Sequence, residues 1–216
     1  MLLVGCGKKE KRTDVIVKAE TVHRLPELKI FNMGGIPEKI MLEFTERMKL
    51  VYANTVYAGS MELTDSALLK NDRKGKDRYS SRILMDKVRK TIDKKHEIAL
   101  VVVNGDVCNW TKNGSHANLG ISLMGQHISL VSYRRLEVNG LATTDNMLKV
   151  AVHELGHSVC SLVRERKDLR FHCPDKKCLM LDAKNRFPYR NISGFCTSCD
   201  SIMKVHGFET EHLNFR

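Results

Sequence analysis

Residues 143–157 read TTDNMLKVAVHELGH. Thr143-Thr144-Asp145 supplies an N-cap, a side-chain oxygen that accepts from a free backbone N–H of the first helical turn. Behind it Met147, Leu148, Val150, Ala151, Val152 and Leu155 predict a mostly buried helix. Inside that helix lies His153-Glu154-Leu155-Gly156-His157, an H-E-x-x-H motif in the context it requires. Residues four apart share a helix face, so the two imidazoles converge on one Zn2+ with nitrogen distances of about 2.0–2.1 Å. Glu154, one residue round from His153, addresses a water in an open coordination position. The metal lowers that water's pKa toward about 7, and the carboxylate takes its proton as it attacks a carbonyl carbon. The same motif also occurs by chance on ordinary surface helices.

Upstream, Ile98-Ala99-Leu100-Val101-Val102-Val103 is an unbroken apolar run that stops at Asn104-Gly105-Asp106, the pattern of a central strand buried on both faces. Asn118–Ile121 and Ile128–Tyr133 are shorter strand candidates with Gly125 between them, and their spacing suits an antiparallel hairpin. Toward the N-terminus, Ile40, Met41, Phe44, Met48, Val51 and Tyr52 recur three and four apart, predicting a helix from Pro37 to about Val56 with one buried stripe. Ile83, Leu84, Val88 and Ile92 predict a second amphipathic helix after the charged turn 70–78. Val15, Val17, Leu25, Leu28 and Ile30 lie in an extended segment ended by Gly34-Gly35-Ile36-Pro37. Helices and strands in this order give an α/β (α+β) class with a mixed sheet.

With 216 residues the chain is the size of one domain. Its 42% hydrophobic and 28% charged residues exclude collagen-like, low-complexity and wholly disordered chains. No run of eighteen apolar residues occurs, so no spanning helix is expected. Leu3-Val4-Gly5-Cys6 ends like a bacterial lipobox, and a polar run follows it. Five residues are too short for a signal peptide, so the lipid-anchor reading of Cys6 requires a start upstream of Met1. Residues 1–20 are read as a flexible tether and 21–216 as a single domain. A cell-envelope lipoprotein follows if a signal segment precedes Met1, and a cytoplasmic protein otherwise. The net charge of +11 admits nucleic acid, an anionic membrane surface or acidic ligands without choosing among them.

Seven cysteines are too few for a disulfide-dense scaffold. Cys173 and Cys178 have four residues between them, and Cys196 and Cys199 have two. Two such pairs match a closed, tetrahedral structural zinc site, placed in a small zinc-stabilised C-terminal subdomain that begins near residue 158. Just before Cys173, His172 is the best candidate for the third ligand of a catalytic zinc. Two zinc ions, one catalytic and one structural, are therefore expected. Cys108 and Cys160 remain as thiols, and no disulfide is needed.

These residues resemble the archaemetzincins, a branch of the metzincin zinc peptidases. The resemblance is carried by His153-Glu154-x-x-His157, by His172-Cys173 with Cys178-Leu179-Met180, and by Phe195-Cys196-Thr197-Ser198-Cys199. Looser similarity includes Arg78-Tyr79-Ser80-Ser81 and Val131-Ser132-Tyr133-Arg134-Arg135-Leu136, for a span of about residues 27–204. It implies a compact metzincin-like domain with His153, His157 and His172 on the catalytic zinc and Glu154 as general base. Met180 would form the Met-turn, an apolar floor beneath the imidazoles. Asn118–Ile121 would be a sheet edge to which an extended peptide adds as a strand.

The sequence departs from the family between the second and third histidines: fourteen residues intervene where the family has five, and Cys160 stands where a glycine is expected. The helix is then expected to continue through Leu162 and Val163, with 164–168 looping back to deliver His172. Cys160 and Asp168 become rivals of His172 for the metal. The leading function is a zinc metallopeptidase acting on peptide or protein, with no nucleic-acid partner, a monomeric state, and membrane contact only through Cys6. The alternative is a zinc-stabilised basic binding module, for nucleic acid or protein, with an inactive H-E-x-x-H helix. Aromatic residues at 6% offer no evident stacking platform for single strands.

Overall fold

A computed structural model describes residues 25–70, 77–111, 114–160, 172–182 and 192–213. Along them run β1 (Glu27–Met33), α1 (Glu38–Val51), β2 (Thr55–Met61), β3 (Leu68–Leu69), β4 (Arg78–Ser80), α2 (Ser81–Arg89) and β5 (Glu97–Val103). There follow β6 (Val107–Thr111), β7 (Gly114–Ala117), β8 (Gly120–Leu123), β9 (Ile128–Ser132), α3 (Tyr133–Val138), α4 (Thr144–Ser158) and α5 (Thr197–Val205). The central strand expected from the apolar run is β5, the middle of a five-stranded sheet ordered β2-β1-β5-β9-β8. Strands β2, β1, β5 and β9 are parallel neighbours, and β8 closes the edge antiparallel to β9. A smaller sheet is ordered β3-β4-β6-β7.

Alternation along the strands feeds two cores. Leu28, Ile30, Ile98, Leu100, Val102 and Val131 pack with Phe44 and Met48 of α1 and with Val152 and Leu155 of α4. Phe31, Met33, Ala99, Val101, Val103, Ile128 and Leu130 pack with Leu84, Met85 and Val88 of α2. Full burial of a side chain such as Phe44 or Leu100 is worth about 1.5–3 kcal/mol. The motif-bearing helix thus lies on one face of a sheet whose other face is also covered. The C-terminal residues Leu179, Met180, Cys199, Met203 and Phe208 join that same first core. Among the described residues no helix is long and apolar enough to cross a membrane.

Several expectations need correction. Helix α1 stops at Val51 rather than near Val56: Tyr52 has extended backbone, its ring packs tilted against Phe208 at 4.9 Å, and its hydroxyl donates to the Pro26 carbonyl. Residues 55–61 instead form β2, whose register against β1 slips by one residue next to Gly59, at φ +96°, a backbone that glycine adopts without strain. On α2, Ile83 points outward at 40% exposure, and the buried stripe is Ser81, Leu84, Met85 and Val88. The hairpin forms, with its first strand two residues later than expected and its second ending one residue earlier, since Tyr133 already begins α3. Helix α4 is described as far as Ser158, and beyond it Cys160 is fully buried with its sulfur 3.3 Å from that of Met203 on α5, while Leu162 and Val163, through which the helix was expected to continue, lie outside the described residues. The tether, Cys6, the rest of the 158–171 connection and Asp168 lie outside the described residues.

Candidate metal centre and active site

The expected N-cap opens α4: the Thr143 hydroxyl accepts from the Asn146 N–H at 3.2 Å. From Met147 to Ser158 every residue of the helix is buried. A helix buried all round has no solvated face for its polar residues, so His153, Glu154 and His157 must find partners inside.

The two motif histidines meet with their Nε2 atoms 3.1 Å apart. The ring of His172 stacks on His153 with centroids 5.4 Å apart and meets the edge of His157 at 5.0 Å. One nitrogen from each of the three lies within 4.8 Å of the others. Tetrahedral ligation at about 2.0–2.1 Å would separate nitrogens by about 3.4 Å, so these donors fit a zinc ion. The Nδ1–H of His153 donates to the Leu179 carbonyl at 2.6 Å, which leaves its Nε2 lone pair directed at the cluster. Burial pulls His153 down to about 4. Burial, and then the neighbouring His153 and His172, pull His157 down to about 2. Burial also lowers His172, with the Asp182 carboxylate partly opposing it. All three imidazoles are therefore neutral near pH 7, the form that binds a metal.

Glu154 is only 8% exposed, and burial raises its carboxyl to about 7 while a hydrogen bond from Ser122 holds it back. The Ser122 hydroxyl lies 2.5 Å from Glu154 Oε2 and 2.7 Å from the Glu154 carbonyl oxygen. Gly120, two residues earlier on β8, sits directly against the same carboxylate.

The four cysteines of the two pairs also converge, each sulfur within 4.8 Å of the others. Cys173 and Cys196 are 3.6 Å apart, against about 3.8 Å for sulfurs sharing a tetrahedral zinc at about 2.3 Å. The Cys199 thiol donates to Cys178 and pulls it down to about 6, while that same bond and burial raise Cys199. Burial raises Cys173 to about 11. One sulfur of the cluster is thus primed as a thiolate, and a cation would offset the cost of the rest.

The two clusters are joined through the backbone. His172 adjoins Cys173, whose N–H donates to the Met180 carbonyl at 2.7 Å. Leu179, the acceptor for His153, adjoins Cys178 and donates its own N–H to the Gly194 carbonyl at 2.8 Å. Met180 is buried at 1% beside them.

The structure brings His153, His157 and His172 together at one place and Cys173, Cys178, Cys196 and Cys199 at the other, with Glu154 buried next to His153 on α4. Cys160 is directed at Met203. Cys108 is buried on β6, and His127 is held low by burial and by nearby His206. Sequence reasoning missed Ser122, Asp182 and the Leu179 carbonyl. A lone serine on a strand and a main-chain oxygen leave no spacing signal.

Three solved structures share this architecture. An archaemetzincin from Methanopyrus kandleri is 21% identical, with a TM-score of 0.61, covering 84% of this chain and 95% of its own. A zinc-dependent peptidase from Methanocorpusculum labreanum is 18% identical, with a TM-score of 0.61, covering 82% and 99%. An archaemetzincin from Archaeoglobus fulgidus, complexed with malonate, is 18% identical, with a TM-score of 0.59, covering 81% and 99%. No family model and no curated protein sequence matches the chain. At these identities the likeness is one of fold: the chain has the archaemetzincin fold.

Proposed function

We propose that the chain is a zinc-dependent metallopeptidase of the archaemetzincin type, hydrolysing peptide bonds in peptide or protein substrates. The observation that carries this reading is the convergence of His153, His157 and His172, with Glu154 buried next to His153 on the same helix. The fold shared with a zinc-dependent peptidase and two archaemetzincins supports it. His153, His157 and His172 hold the catalytic zinc. When bound, zinc supplies a Lewis acid for the scissile carbonyl and lowers the pKa of water.

The remaining chemistry belongs to the chain. Glu154 accepts a proton from the attacking water at a carboxylate oxygen and returns it to the departing amine. The Leu179 carbonyl keeps His153 in the tautomer whose Nε2 is a donor to metal. The edge strand β8 offers main-chain groups to an extended peptide. Met180 forms the apolar floor beneath the imidazoles. Cys173, Cys178, Cys196 and Cys199 hold a second, structural zinc that anchors the segment carrying His172.

Metal analysis of the full chain and of a His153→Ala/His157→Ala double variant tests the assignment. About two zinc ions per chain are expected in the first and about one in the second. A double variant that keeps as much zinc as the parent would remove the catalytic site from the account. Salt-sensitive nucleic-acid binding without cleavage of any peptide would replace the peptidase with a binding module.

A further inference from the structure

We infer that Ser122, in the space left by Gly120, is the positioning residue for Glu154, so that the sheet edge which receives the peptide also holds the general base. The inference rests on the reading of Glu154 as that base.

Alternation along β8 sends Ile121 and Leu123 to the core shared with α2, leaving Gly120 and Ser122 on the α4 side. Ser122 is the cross-strand partner of Ser129 on β9. Its hydroxyl, 2.5 Å from Glu154 Oε2, is also 3.3 Å from Ser129 Oγ, which in turn is 2.7 Å from Ser158 Oγ. Ser129 and Ser158 are fully buried. Three hydroxyls therefore run from the carboxylate through two strands to the last residue of α4. Buried polar groups persist only when each is satisfied, and such a chain specifies one arrangement of its members. Without the Ser122 hydroxyl, Oε2 loses a charge-assisted bond, and the side chain is free to leave the orientation that this bond fixes.

Gly120 supplies an independent constraint. A Cβ there would stand 2.5 Å from Glu154 Cγ and 2.6 Å from Oε1. Gly120 is not among the glycines at positive φ, so alanine imposes no backbone strain, and the three atoms nearest to its Cβ all belong to the Glu154 side chain. Gly120→Ala thus displaces the carboxylate while leaving the strand in place.

Steady-state kinetics on the zinc-loaded full chain with a cleavable peptide tests this, using Ser122→Ala, Ser122→Thr and Gly120→Ala. Ser122→Ala and Gly120→Ala are expected to lower kcat about 10–100-fold, the size typical of lost outer-shell support, with KM and zinc content little changed. Ser122→Thr, which keeps the hydroxyl, is expected to restore most of the rate. An unchanged kcat in both alanine variants, or a loss confined to KM, would overturn the inference. If Ser122→Ala does not fold, Gly120→Ala decides by the same criteria.

Infrared difference spectra against Glu154→Gln isolate the Glu154 carboxylate band and need no turnover. A band that shifts in Ser122→Ala and is restored in Ser122→Thr upholds the positioning role. A band that stays in place overturns it. If the unmodified chain cleaves nothing, the peptidase reading fails, and the infrared result still decides the Ser122 contact.

Discussion

Replacing Cys199 by serine removes one sulfur from the buried cluster, yet its larger consequence is expected at Leu179, whose carbonyl accepts from His153. Cys199 is fully buried on α5 and donates to Cys178, the neighbour of Leu179. The sulfur cluster also fixes Cys173, the neighbour of His172. Loosening 172–182 therefore frees one imidazole and releases the acceptor that sets the tautomer of another. Lost support of this kind costs about 10–100-fold in metal affinity, or about 1.4–2.8 kcal/mol. The assay is chelator competition at fixed pH, followed by metal analysis. Cys199→Ser should lose the thiol-bound zinc outright and bind the remaining one about 10–100-fold more weakly than the parent. A variant that loses one zinc while holding the other within about twofold of the parent affinity would refute the coupling.

Other outcomes follow from burial and charge. Metal-free protein should lose stability as the pH falls from 7 to 5, because the fold keeps His153 near 4 and His157 near 2, and keeps His172 and His127 low, whereas in the unfolded chain they titrate near their ordinary value. Below about pH 6.5 the unfolded state binds protons at His153 and His157 that the folded state refuses, which lowers stability by up to about 1.4 kcal/mol per unit for each of the two, while Glu154, held near 7 in the fold, takes up a proton there and offsets about one of them. Urea midpoints that stay flat over this range would contradict the buried, neutral cluster. Phe44→Ala should cost about 3–5 kcal/mol in urea unfolding, since Phe44 is fully buried between α1 and the sheet, and a loss below about 1 kcal/mol would contradict that placement. Thr143→Ala should cost about 1 kcal/mol through the lost bond to the Asn146 N–H, and no loss would mean that water replaces the cap.

Legibility in the sequence followed burial. Strand β5 was readable because both its faces are covered, so Ile98 to Val103 became one apolar run. Helix α4 was readable from its cap and its buried spacing. Strand β2 was not: it is a half-buried sheet edge containing Ala58, Gly59 and Ser60, and its place depends on pairing with β1 rather than on local preference. The contact of Cys160 with Met203 on α5 was not readable, because the two are 43 residues apart and no local spacing links them. At the site, imidazoles and thiols at ligand spacing announced themselves. Ser122 meets Glu154 across 32 residues through the hairpin fold, a relation that no local spacing encodes.

The most direct measurement of the central claim is peptide cleavage by the zinc-loaded chain against Glu154→Gln at equal zinc content. Glutamine keeps the shape of Glu154 and the hydrogen bond from Ser122 while removing the proton acceptor. The account predicts zinc-dependent cleavage by the parent and a loss of about 10²–10⁴-fold in kcat for the variant, with both metals retained. Equal cleavage by the two proteins, or none by the parent at full zinc content, would contradict it.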